Sequence, residues 1–92
     1  MQMITLSGVL EHVFGIGGET TGWALELDSE IEIAKGIDKV KNIEVSPNGK
    51  SIEMLKGKKV QVTGYLDWKH GIERGDYPVI MIETIEEIKV KK

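Results

Sequence analysis

From Lys59 to Trp68 the chain alternates without a break. Val60, Val62, Gly64, Leu66 and Trp68 fall on one phase; Lys59, Gln61, Thr63, Tyr65 and Asp67 fall on the other. A period of two sends successive side chains to opposite faces, so this stretch is a β-strand with one buried face. The same period recurs at Ile4, Leu6, Gly8 and Leu10, and at Trp23, Leu25 and Leu27. A chain patterned this way folds as packed β-sheet, and 92 residues suit one domain spanning residues 1–92. So small a domain removes only about 60–65% of its unfolded surface from water. Its sheet must therefore cover its own apolar face.

The first strand is predicted from Ile4 to about Phe14. Gly8 inside it marks a bulge or sharp bend, because glycine carries no side chain to block close backbone approach. Residues 15–22 hold four glycines and read as a loop. The second strand starts at Trp23, turns at Asp28-Ser29-Glu30 and resumes at Ile31 and Ile33, with a break at Lys35-Gly36. Val40 to Val45 is a third strand, and Ser46-Pro47-Asn48-Gly49 is a turn. Lys50 to Lys56 is the one helical stretch. Asn48 or Ser51 would cap its start, and Gly57 sits where a left-handed stop is expected. Ile52, Met54 and Leu55 would face inward. After the fourth strand comes a polar loop, Lys69 to Pro78. A last strand runs from Val79 to about Val90, its alternation slipping near Glu83–Glu87 as at a bulge.

The order is β-β-β-α-β-β, an all-β chain with one short helix. Five strands with a helix between the third and fourth is the element order of the OB-fold, a small Greek-key barrel. Closing so few strands needs strong coiling, and Gly8 and Gly64 lie mid-strand where the bends belong. Ile52, Met54 and Leu55 would stopper the open end.

The segments Leu6-Ser7-Gly8-Val9-Leu10, Trp23-Ala24-Leu25-Glu26-Leu27-Asp28 and Lys56 to Leu66 (KGKKVQVTGYL) resemble small bacterial OB-like domains of unknown function. In that group a "GK-x-V-x-V-x-G" segment opens the fourth strand. The resemblance spans about residues 6–88 and implies the barrel fold. It implies no catalytic residues, since none are established for the group. Some members have a histidine-rich loop after the fourth strand; here that loop holds His70.

Charge and composition exclude several classes. The net charge is −3, so nothing pulls the whole chain toward nucleic acid or anionic membrane. Residues 1–46 hold eight acids and three lysines, hence −5; residues 47–92 hold seven acids and nine bases, hence +2. With no cysteine there is no disulfide, thiolate metal site or cysteine nucleophile. Met1 to Gly8 is not a signal peptide, so the sequence as it stands reads as cytoplasmic. A removed leader would leave the same chain, and export stays open.

The glycine loop fails as a phosphate cradle. Thr20 stands where GxGxxG needs glycine, and a strand follows where a helix N-terminus is needed. His12 and His70 could meet Glu11, Asp67 or Asp76, but a metal needs three or four convergent ligands. No metal or other cofactor is expected; His12 is placed at a strand edge and His70 in solvent. The serines lack a nucleophile-elbow context, and paired acids on strands form a solvated face. The chain reads as non-enzymatic.

OB-folds bind ligands through the loops joining strands 1–2 and 4–5. Around residues 15–22 and 68–78 lie Trp23, Tyr65, Trp68, His70, Arg74 and Tyr77. Aromatic rings are stacking platforms, and Arg74, the single arginine, could pair with an anion. Trp23 and Trp68 also lie on the apolar phase of their strands, which suits core packing. The expected function is therefore a non-catalytic module that binds a protein, peptide or small ligand. The alternative is single-stranded nucleic-acid binding along Lys39, Lys41, Lys69 and Arg74. Monomer and strand-paired homodimer are both open.

Overall fold

The computed structural model describes residues 3–13, 21–32, 39–71 and 75–89. Five strands, β1 (Met3–His12), β2 (Trp23–Ile31), β3 (Val40–Ser46), β4 (Lys59–Gly71) and β5 (Gly75–Glu87), form a closed barrel in the order β1-β2-β3-β5-β4. Neighbours are antiparallel except β3 and β5, which run parallel. This is the Greek-key barrel of OB type that the element order predicts.

Two glycines let the barrel close. β1 pairs with β4 over Met3–Val9 and with β2 over Gly8–His12, so Gly8 stands where the strand changes partner. A Cβ there would overlap the Glu26 carbonyl oxygen and stand 2.8 Å from its carbon. Gly64 lies beside a register shift: Thr63 faces Thr84, Gly64 faces Ile82, and Glu83 is left over as the bulge. The predicted slip near Glu83 is this feature. A Cβ on Gly64 would overlap the Met81 carbonyl oxygen.

The interior is filled by the apolar phase of every strand. Leu10, Leu25, Val45, Val60, Val62, Ile80 and Ile82 are fully buried. Ile52, at 1% exposure, closes one end.

Here the helix expectation is corrected. Only Glu53–Leu55 are helical, as a three-residue 3-10 turn whose start has no side-chain cap. Asn48 is used elsewhere: its Nδ2 donates to the Ile82 carbonyl at 3.1 Å, pinning the turn to β5. Met54 is 74% exposed and does not plug the barrel; Ile52 does, with Leu55 packed against the core. Gly57 adopts φ 79°, the predicted stop. Its N–H donates to the Leu10 carbonyl at 2.7 Å, and the Leu10 N–H donates to the Lys58 carbonyl, tying the stopper to β1.

Asn48 itself has φ 53°. Asn48→Ala therefore loses a side-chain hydrogen bond and strains the backbone, a loss of about 2 kcal/mol. Asn48→Gly keeps the dihedral and should lose about 1 kcal/mol. Chemical denaturation of the two variants checks the order.

Strand limits differ from the pattern in two further places. β2 continues through Asp28-Ser29-Glu30 with no turn, and its pairing with β3 shifts register between Glu26 and Ile31. The stretch expected as a polar loop from Lys69 to Pro78 is mostly strand: β4 runs on to Gly71 and β5 begins at Gly75. The expectations for Phe14, Ile33, Lys35-Gly36 and Val90 lie outside the described residues.

Candidate binding ribbon

The extra length of β4 and β5 builds the site. β1 accompanies β4 only as far as Tyr65, and β3 accompanies β5 only from Val79 onward. Among the described residues, 68–71 and 75–78 thus pair with each other alone. They leave the barrel as a two-stranded ribbon whose edges carry no further strand of the described residues.

Alternation assigns each side chain to a face of this ribbon. Trp68 lies opposite Pro78, and His70 opposite Asp76, on the face that continues the barrel interior through Leu66 and Ile80. Lys69 lies opposite Tyr77, and Asp67 opposite Val79, on the other face. Inside the barrel the first face is core. Beyond it no third strand of the described residues covers the face, and Trp68 is 46% exposed.

Both edges are blocked at the tryptophan rung. The Trp68 N–H donates to its neighbour's Asp67 Oδ1 at 3.0 Å. Pro78 has no N–H to offer. Open edges with free donors recruit further strands, and these two devices remove that invitation. Asp67 is held in turn by Lys69, with Nζ 3.3 Å from Oδ2.

At the next rung His70 Nδ1 lies 2.6 Å from Asp76 Oδ1. An ionised carboxylate only accepts, so the ring donates through Nδ1–H. Both side chains are largely exposed, and the pair is an ornament of the surface rather than of the core.

The expected site residues therefore divide. Trp68 and His70 share one ribbon face, whereas Tyr77 is half-buried on the other. Tyr65 is half-buried at the ribbon base, opposite both Met3 and Met81. Arg74 and most of the glycine loop lie outside the described residues. Trp23 belongs elsewhere: it is buried at the barrel mouth. Thr21 Oγ donates to its carbonyl at 2.9 Å and accepts its N–H at 3.3 Å. His12 packs on it with ring centroids 5.1 Å apart and planes at 87°. His12, exposed at the end of β1 where, among the described residues, only β2 pairs with it, thus follows the interior phase to the mouth. With Glu53 and Lys56 these rings line an open cleft of about 490 Å³.

Pro78 and Asp76 are the members of the ribbon face that residue chemistry alone does not bring to Trp68. Their signal is pairing register, which a polar stretch does not reveal. The lysine track loses a member, since Lys69 is spent on Asp67. Among the described residues no three His, Cys, Asp or Glu side chains converge as a metal site would need. No protein-family model matches the chain, and no curated protein matches it.

Proposed function

We propose that the chain is a non-catalytic binding module that engages a protein or peptide partner through the Trp68 face of the β4–β5 ribbon. One observation carries the reading: the largest side chain type stands 46% exposed on a surface that is core two residues earlier, where Leu66 packs on the barrel interior. Exposed tryptophans of this kind are the residues that dominate interface energies. The blocked edges at Trp68 and Pro78 direct a partner to side chains instead of backbone. Single-stranded nucleic acid is less suited, because the net charge is −3 and Lys69 is paired with Asp67.

A random peptide library panned on the wild-type domain, with Trp68→Ala as the counter-selection, tests this. Peptides should enrich on the wild type, and Trp68→Ala should weaken them about 30-fold, the equivalent of a 2 kcal/mol hot spot. Its stability should change by no more than about 0.5 kcal/mol, since a surface side chain is removed. Equal capture by both proteins contradicts the proposal. So does tight binding of a mixed single-stranded oligonucleotide at low salt, where phosphate contacts are strongest.

A further inference from the structure

We infer that the ribbon face reads a guanidinium group, an exposed arginine of the partner. The inference rests on the ribbon being the binding surface and adds what that surface recognises. Its basis is the inventory of donors and acceptors around Trp68. Opposite Trp68 across the ribbon is Pro78, which brings no N–H. Beyond it, two residues along and ~7 Å away at strand rise, stands the His70–Asp76 pair. Nδ1–H is already committed to Asp76 Oδ1. What the pair leaves for a ligand is Oδ2 of the carboxylate, which accepts. The Trp68 backbone N–H is committed to Asp67 Oδ1, and the indole Nε1–H is a donor at the ring edge.

The face therefore offers a π surface with a carboxylate acceptor beside it. Its complement is flat, cationic and rich in donors. Guanidinium meets all three conditions: it is planar, always charged, carries five N–H groups and stacks on indole. An ammonium is a compact, strongly hydrated point charge and uses the flat ring less well. A carboxylate or phosphate would face the like charge of Asp76. Local charge agrees. Asp67 is neutralised by Lys69, while among the described residues Asp76 has no lysine or arginine partner. The chain as a whole is acidic, at −3.

The test is an NMR titration that follows the Trp68 indole N–H and the His70 ring. The probes are blocked Gly-Arg-Gly, Gly-Lys-Gly and Gly-citrulline-Gly peptides, together with the library peptides selected on the wild type. The arginine peptide should shift both residues, and citrulline, which keeps the shape without the charge, should not. Asp76→Asn should weaken arginine peptides about tenfold, the loss of a charge-assisted hydrogen bond. Trp68→Phe should retain part of the binding that Trp68→Ala removes. If selected peptides need Trp68 but tolerate Asp76→Asn and arginine-to-citrulline exchange, the guanidinium inference is overturned and the ribbon remains the binding face. If they bind Trp68→Ala as well as the wild type, both fall together.

Discussion

Replacing Gly64 with alanine should remove a large share of the chain's stability. The added Cβ would overlap the Met81 carbonyl oxygen and lie 2.9 Å from the carbonyl carbon. These are backbone atoms of β5, held on either side of the bulge by the Thr63–Thr84 and Gly64–Ile82 rungs. No side chain can swing aside, so relief requires β5 to move and core residues such as Ile80 and Ile82 to repack. A cost of about 3–5 kcal/mol is expected, at the top of the range for one substitution. A domain of this size holds only about 5–14 kcal/mol in all. Gly8→Ala should behave alike, its Cβ meeting the Glu26 carbonyl. Gly75→Ala is the control. It has open space around a Cβ and only a positive φ of 71° to satisfy, so it should lose about 1–2 kcal/mol. Circular dichroism with urea denaturation separates these cases; a Gly64→Ala protein as stable as the wild type would mean the strands do not approach as described.

Ile52→Ala is the second large effect. Ile52 is 1% exposed and joins the core cluster from outside the strands. Removing it opens the end of the barrel that the 3-10 turn covers. Truncations of this kind lose about 2–5 kcal/mol, the spread reflecting how far the neighbours collapse. Met54→Ala, two residues away but 74% exposed, should change stability by no more than about 0.5 kcal/mol. A two-turn helix with Ile52, Met54 and Leu55 all facing inward would make both substitutions costly. The contrast in denaturation midpoints therefore reports directly on the turn.

These two sites also show what the sequence makes legible. Gly8, Gly64 and Ile52 stand out because each interrupts or completes an apolar pattern that burial enforces. The five strands are readable for the same reason: a barrel strand has a wet face and a dry one, and alternation records it. The ribbon is not readable. Residues 69–71 and 75–78 carry no apolar alternation because these strand ends have left the core, and such strands look like loop. The short turn was open to misreading as well, since Ile52 and Leu55 are spaced alike in a helix and in a single 3-10 turn. Asp28-Ser29-Glu30 has turn composition, yet it is exposed strand beside a bulge.

The two tryptophans make the same point for the site. Trp23 and Trp68 occupy the same phase of their strands, and periodicity tells which face a residue takes but not how far along the barrel it lies. Trp23 begins a strand paired on both sides. Trp68 comes three residues after β4 parts from β1, so its face is uncovered. His70 and Asp76 meet only because the Trp68–Pro78 rung fixes the next one, and that register is set by the bulge at Glu83 far down the hairpin.

The reading as a whole depends on Trp68 being open to solvent in the free protein and covered in the bound one. Acrylamide quenching of a Trp23→Phe variant, in which Trp68 is the sole emitter, measures this directly. Efficient quenching that a library-selected arginine peptide suppresses is the predicted result. Emission as sheltered as that of Trp23 in a Trp68→Phe variant, or quenching that the peptide leaves unchanged, would contradict it.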